Sequence, residues 1–282
     1  MSEALRSLLD RFEADAGWRQ PARWRERAQW QERIERLSLS LEAGAAALRD
    51  RADAAQARLD AADTDAAAAV RARIVAGDGA RVLREWMGEP AAQADGEGYD
   101  ALDAILGAVL ALNEPQGEIA APAPQTVFYQ PTPARHALEL LARLELGADD
   151  VLIDLGSGLG HVPLLAAACT PARCVGIEHE AAYVASAREC AQALRLRRAE
   201  FVHADARVAE LAAGTVFYLY TPFTGELLAQ VLERLRALSL RRPIRLASLG
   251  PCTQTLAAQS WLRPLQDAWA PDRIALFAAS AA

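Results

Sequence analysis

The sequence contains no lysine, so all 30 of its basic residues are arginine. That absence excludes every chemistry that needs a lysine amine, including Schiff-base and pyridoxal catalysis, the phosphate lysine of a P-loop and the ATP lysine of a kinase. There is also no uninterrupted apolar run of the roughly 18 residues that a membrane span requires. The opening residues 1–10 carry early acids and no apolar signal core, so a cytoplasmic protein with no membrane partner is expected. Four cysteines (Cys169, Cys174, Cys190 and Cys252) show no C-x-x-C spacing and read as reduced thiols. Aromatics are scarce at 6%, but 52% hydrophobic and 24% charged residues describe a globular chain. Its 282 residues suffice for one large domain, or for an ordinary domain with an extension.

Charge is unevenly placed. Residues 1–124 hold 15 arginines against 22 acids, a balance of −7, and residues 125–282 hold 15 against 15, a balance of zero. Nucleic-acid binders carry a basic face or domain. Neither part is basic, which argues against a nucleic-acid partner.

The chain divides near residue 125. Between Ala22 and Arg73 there is no proline and only Gly44 as glycine. Ile34, Leu37, Leu41, Leu48, Ala55 and Leu59 recur at spacings of three, four and seven, which fits one face of a helix. Trp18, Trp24 and Trp30 form a smaller apolar set, and a further helix is expected from Tyr99 to Leu112. Glycines at 77, 79, 88, 96 and 98 punctuate the region, and Asn113–Gln125 reads as a proline-marked linker. This all-helical part fits a cap packed on the second domain, a substrate lid, or a dimerisation hairpin that would make a homodimer. An apolar stripe serves all three.

The second part alternates apolar runs with helices. Asp150–Leu155, Arg173–Glu178, Glu200–His203, Thr215–Thr221 and Ile244–Leu249 are the runs, with helices expected at Ala181–Leu194, at Gly225–Leu238 and after the first run. Such runs mean a parallel sheet covered on both faces. Trp261–Trp269 and Arg273–Ala279 follow without a helix between them, which fits an antiparallel pair at the sheet edge. The expected fold is therefore α/β, a Rossmann-like doubly wound sheet of about seven strands behind an all-helical N-terminal part.

The clearest local signal runs from Val151 to Gly160. A strand ends in Asp154, then come Gly156, Ser157, Gly158 and Gly160, then a helix. A dinucleotide site wants G-x-G-x-x-G, but the third glycine here stands one position early and His161 occupies its place. A carboxylate two residues before the first glycine would repel a pyrophosphate. It suits a ligand carrying an ammonium and a sulfonium, and S-adenosylmethionine has both. Glu178 ends the next strand and can accept both ribose hydroxyls, while Asp205 follows the third strand and could accept from an adenine amino group. A helix N-cap is the ordinary alternative for either acid. His179, His203 and Cys174 do not have the spacing of a zinc ligand set, so no metal is expected.

Tyr129–Pro133, Asp154–Gly160, Val175–Glu178, Ala204-Asp205 and Tyr218–Phe223 together resemble the class I, seven-strand S-adenosylmethionine-dependent methyltransferases. The resemblance spans residues 128–282. It is nearest to a bacterial group with a V-P-T-P loop, a glycine turn and an L-Y strand end, to the mitochondrial lysine methyltransferases that share this arrangement, and more distantly to the non-SET histone lysine methyltransferases. It implies that Asp154, Gly156, Ser157 and Gly158 hold the methionine end of the cofactor, Glu178 the ribose, Asp205 the adenine, and that Thr132 approaches the cofactor carboxylate. Tyr220 and Thr221 would face the transferring methyl, with Tyr129, Tyr218 and Phe223 around the substrate. The fourth strand ends in Tyr-Thr-Pro-Phe rather than in the Asn/Asp-Pro-Pro-Tyr of many amino-group methyltransferases, which puts an amide-nitrogen substrate in doubt. The acceptor, a protein amine or a small molecule, stays open. A non-catalytic binding or scaffold protein that retains the fold is the competing reading.

Overall fold

A computed structural model describes residues 2–41, 44–87, 98–113, 115, 119, 127–266 and 268–279. Most of the expected linker, and Gly88, Pro90 and Gly96, lie outside the described residues.

The N-terminal part begins with α1 (Ser2–Ala14), α2 (Trp24–Ser38) and α3 (Ala46–Val75). The stripe from Ile34 to Leu59, expected on one helix face, is instead divided between two helices. One uninterrupted helix would leave that stripe in water, whereas a hairpin buries it against itself. The pairing is antiparallel: Arg27 Nε donates to Asp63 at 2.5 Å and Gln31 to Asp60 at 3.0 Å. Leu5, Leu9 and Phe12 of α1 close the cluster with Trp18, Trp30, Ile34, Leu48 and Leu59. Arg27 is fully buried and also donates to the carbonyls of Trp18, Gln20 and Pro21, tying the two short 3₁₀ turns before α2 to α3.

Two helices follow, α4 (Gly79–Met87) and α5 (Ala101–Leu110). The glycines around residue 79 conceal α4, which is strongly amphipathic and buries Val82, Leu83 and Trp86. Trp24 and Trp86 lock it in place, since Trp24 Nε1 donates to the Trp86 carbonyl and Trp86 Nε1 to the Pro21 carbonyl, both at 3.0 Å. A capping box starts α5: Asp100 accepts from Leu102 N–H and Asp103 accepts from Asp100 N–H.

The remainder runs α6 (Ala134–Leu144), β1 (Val151–Leu155), α7 (His161–Cys169), β2 (Arg173–Glu178), α8 (Ala181–Ala193), β3 (Ala199–His203), β4 (Val216–Tyr220), α9 (Gly225–Ser239), β5 (Ile244–Leu249), α10 (Cys252–Ala257), β6 (Arg263–Pro264) and β7 (Ala275–Ala279). The seven strands form one sheet in the order β3-β2-β1-β4-β5-β7-β6. β1 to β5 are parallel, and β7 runs antiparallel to both β5 and β6. The expected strand Trp261–Trp269 shrinks to two residues. Pro264 has no N–H to give the ladder, and just beyond it Leu265 N–H still donates to the Leu276 carbonyl at 2.8 Å.

One face of the sheet is covered by a cluster that continues unbroken through α7, α6, α5 and α4 into α3, from Leu152 and Tyr218 to Val70 and Ile74. The other face packs Ile153, Phe217 and Leu219 under α9 and α10. All five parallel strands therefore deliver their carboxyl ends to one edge, and the distal end of the helical part packs beside it. No helix among the described residues is long and apolar enough to cross a membrane.

Candidate active site at the carboxyl edge of the sheet

At that edge β1 gives way to the glycine turn. Gly156, Gly158 and Gly160 all have positive φ (81°, 51° and 83°), a region that side chains enter only at a cost. All three are also closely covered, and a Cβ on Gly160 would stand 2.5 Å from Phe201 Cε1. A Cβ on Gly156 would stand 2.2 Å from Pro222 Cβ, and one on Gly158 would stand 2.1 Å from Tyr129 Cε2. The turn is pinned to β2, with Gly156 and Ser157 N–H donating to the Ile177 carbonyl at 2.8 and 3.1 Å.

Asp154 sits within the sheet, in register with Gly176 of β2 and Tyr218 of β4. It is 4% exposed, and no donor among the described residues reaches its carboxylate. Burial pushes its pKa well above the usual carboxylate range, and the nearby charge of Glu178 adds to the shift. Ser157 Oγ, also buried, has no partner among the described residues either. Natural interiors rarely leave such groups unsatisfied. A ligand cation would satisfy the carboxylate.

Glu178 spans the turn. Its Oε2 accepts from Gly158 N–H and its Oε1 from Glu180 N–H, both at 2.8 Å. Each carboxylate oxygen can accept twice, so one site on each remains for a vicinal diol. Asp205 is placed differently. Arg207 N–H donates to Oδ1 at 2.8 Å, and the Arg207 guanidinium grips both oxygens, with Nη2 at 2.5 Å from Oδ2. These contacts with Arg207 hold the Asp205 pKa below its usual value. This carboxylate closes its own turn, and no helix begins there for it to cap.

The end of β4 brings the remaining expected residues close to the turn, but in different states. Tyr218 is fully buried, and its hydroxyl shares a 2.9 Å hydrogen bond with Thr132 Oγ1. Burial raises its pKa, so its proton stays in place. Tyr220 is half-buried, with its ring beside Gly250. Thr221 has φ 38°, an uncommon value for a β-branched residue. Its hydroxyl donates to the Leu249 carbonyl at 3.1 Å and accepts from Cys252 N–H at 3.0 Å, so its proton is committed to holding β4 against β5. Phe223 is 5% exposed and belongs to the core cluster under α9, not to an open wall.

Tyr129 lies on the glycine turn. Its hydroxyl is 3.3 Å from His161 Nδ1, and its ring is tilted against Tyr183 with centroids 4.8 Å apart. The sequence reading did not anticipate Pro222 and Tyr183 as neighbours of the turn. Pro222 had a signal in the residue pattern after β4, whereas Tyr183 had none.

A cleft of about 470 Å³ opens at the opposite edge, between the amino ends of β1, β4 and β5, and includes Asp150, Arg245, Trp261 and Arg263. It is remote from the glycine turn, and the Arg245–Asp150 pair within it ties β5 to the residue before β1 at 3.0 Å.

The family model for histone methylation protein DOT1 matches residues 126–241. A trans-aconitate 2-methyltransferase from Paracidovorax citrulli is 49% identical over 72 residues, which are 25% of this chain and 26% of that protein. The chain thus spans about a quarter of that relative's length. Among solved structures, an RNA methyltransferase from Salinibacter ruber in complex with S-adenosyl-L-homocysteine aligns with TM-score 0.42 and 24% identity, over 53% of this chain and 92% of that one. A precorrin-6y C5,15-methyltransferase from Geobacter metallireducens aligns with TM-score 0.41 and 18% identity, over 57% and 94%.

Proposed function

We propose that the carboxy-terminal part is a class I S-adenosylmethionine-dependent methyltransferase domain, and that the protein transfers the cofactor's methyl group to an acceptor that brings its own lone pair. The observation that carries this reading is the buried, donor-free carboxylate of Asp154 beside a turn of bare backbone. An ammonium or sulfonium placed there gains a charge-assisted partner in a water-poor site. A pyrophosphate would be repelled.

When bound, the cofactor supplies an electrophilic methyl on a positively charged sulfur. The chain's own residues bind, orient and exclude water. Asp154 and Ser157 receive the methionine end, and Glu178 offers its two spare acceptor sites to the ribose hydroxyls. Pro222 and Thr221 fix where the acceptor side begins. In-line displacement needs a lone pair about 3 Å from the methyl and little else. At the end of β4 neither Tyr218, which keeps its proton, nor Thr221, whose hydroxyl is already used, is a ready base. An acceptor that arrives with a free lone pair fits this site, such as a deprotonated amine or a carboxylate. The names of the matched family and the matched relative describe one acceptor of each kind, a histone and trans-aconitate.

Incubating the protein with methyl-labelled S-adenosylmethionine in a cell lysate tests the proposal. Label should enter protein or small molecules with the wild type and not with the Asp154→Asn variant. Equal labelling by both would reject it.

A further inference from the structure

Residues 127–133 form a strap from the β4 side of the edge to the start of α6. Four polar contacts anchor it. Val127 N–H donates to the Pro222 carbonyl at 3.3 Å, Thr132 Oγ1 shares a 2.9 Å hydrogen bond with the Tyr218 hydroxyl, the Tyr99 hydroxyl donates to the Pro131 carbonyl at 2.7 Å, and Ala134 N–H donates to Asp103 at 2.7 Å. The first two anchors belong to β4 and the loop after it, and the other two belong to the helical part around the start of α5.

Between the anchors the Tyr129 ring rests on Gly158, so close that a side-chain carbon on that glycine would meet the ring at 2.1 Å. Gly158 has no side chain, and its bare backbone is what a ligand of the turn must approach. The ring and the methionine end of a cofactor therefore compete for the same surface. What holds the ring down is a small set of contacts: the tilted contact with Tyr183, a 3.3 Å hydrogen bond to His161, whose imidazole burial keeps neutral, and a hydrogen bond between the Tyr129 hydroxyl and the Leu159 backbone. Tyr129 remains 37% exposed and its neighbour Phe128 79% exposed, so lifting this segment removes few buried contacts.

We propose that the strap is a gate in which Tyr129 covers the glycine turn and must lift from Gly158 before S-adenosylmethionine is seated. The anchors make its position legible elsewhere. Displacing Tyr129 pulls on Pro222, where the acceptor side begins, and on Tyr99, where the helical part begins. The gate rests on the cofactor reading above.

Calorimetric titration of S-adenosylhomocysteine into the wild type, Tyr129→Ala and Tyr99→Phe tests it. A binding-competent state that is only partly populated weakens the apparent affinity by that fraction, so removing the ring should tighten binding about fivefold or more. Tyr99→Phe removes only the hydroxyl that anchors Pro131, leaves the packing intact, and should tighten binding in the same direction by less. Binding by Tyr129→Ala but not by the wild type would support the gate in its strongest form. Weaker or unchanged binding by Tyr129→Ala, with Tyr99→Phe unchanged, would overturn it and make Tyr129 a clamp or a bystander. If no protein of the three binds, the cofactor reading itself is wrong and the gate goes with it.

Discussion

Asp154→Asn should make the protein bind its cofactor less well and, without cofactor, make it more stable. Both effects come from the same carboxylate. It is 4% exposed and meets no donor among the described residues. A hydrogen bond to a charged group contributes about 1.5–3 kcal/mol. Losing the charge in an ammonium contact therefore weakens the cofactor's Kd roughly 10- to 150-fold. In the unliganded fold the same carboxyl has no partner, so it either carries an uncompensated charge or keeps a proton that the unfolded chain releases, at a cost of about 1–3 kcal/mol or more. Neutralising it should raise the melting temperature by roughly 2–8 °C for a chain of this size.

The direction with pH follows from the raised pKa of Asp154. Above the ordinary carboxylate value of about 3.9 the unfolded chain has released this proton while the native state still keeps it. Native stability therefore declines as pH climbs from there through the raised value, the reverse of a salt-bridged aspartate. The Asn variant lacks this decline, so its advantage should be larger at pH 8 than at pH 5 in a thermal melt. A ligand cation should draw the proton off Asp154, so cofactor affinity should rise with pH over the same range and titration heats should depend on the buffer. An Asn variant that binds as well as the wild type, or that melts below it at pH 8, refutes the reasoning.

Two further perturbations separate residues that share this edge, and a third probes the helical part. Glu178→Gln should weaken cofactor binding about tenfold, because one amide oxygen cannot accept from both Gly158 and Glu180 and also serve a ribose; calorimetry measures it. Asp205→Asn should change the same Kd by no more than about threefold, since its carboxylate is already held by Arg207, and a larger loss would restore it as an adenine contact. Arg27→Met should destabilise the helical part by about 1–3 kcal/mol, seen by denaturant unfolding, because the buried Trp18 carbonyl loses its donor and Asp63 keeps only Gln31 among the described residues.

The sheet was readable in the sequence because each parallel strand is a continuous apolar run closed by a turn. Arg173–Glu178 and Ile244–Leu249 match the expected bounds residue for residue. The acid–glycine pattern after β1 was readable for the same reason: a short motif in a required backbone conformation leaves little freedom. The helical part was less so. Periodicity detects a face but not where the chain folds back on it, so the break between Ser38 and Ala46 left no mark in the spacing of Ile34, Leu48 and Leu59. Glycines near residue 79 masked α4, because Gly79 opens the helix rather than interrupting it. Within the site, residue type and order reached the right edge but not the state of each group. Alternation along β4 places Tyr218 and Tyr220 on one side, and only three-dimensional packing separates a fully buried tyrosine from a half-buried one. The commitment of the Thr221 hydroxyl to Leu249 and Cys252 depends on β5 and α10, elements far along the chain.

Several unfavourable features of the chain lie together at one edge, although others, such as Trp18 Nε1 and the positive φ of Ala111, Glu145 and Arg195, lie elsewhere. A buried carboxylate without a donor, a buried serine hydroxyl without a partner, a β-branched residue at φ 38° and three glycines at positive φ all lie at the carboxyl ends of β1 and β4. The cores on either side of the sheet and in the helical hairpin are built mainly of dense aliphatic packing and hold a fully bonded buried arginine, with Trp18 Nε1 in the hairpin left without a partner among the described residues. Strain and unmet polar demand persist only where surrounding structure holds them in place. Here that structure is the parallel sheet, whose register fixes Asp154 between Gly176 and Tyr218 regardless of the cost. A scaffold protein that merely inherited the fold would have no use for these costs, and substitutions such as Asp154→Asn would stabilise it without loss. A methyltransferase needs them, since the unpaired carboxylate that weakens the empty fold is the partner that a cationic cofactor finds ready.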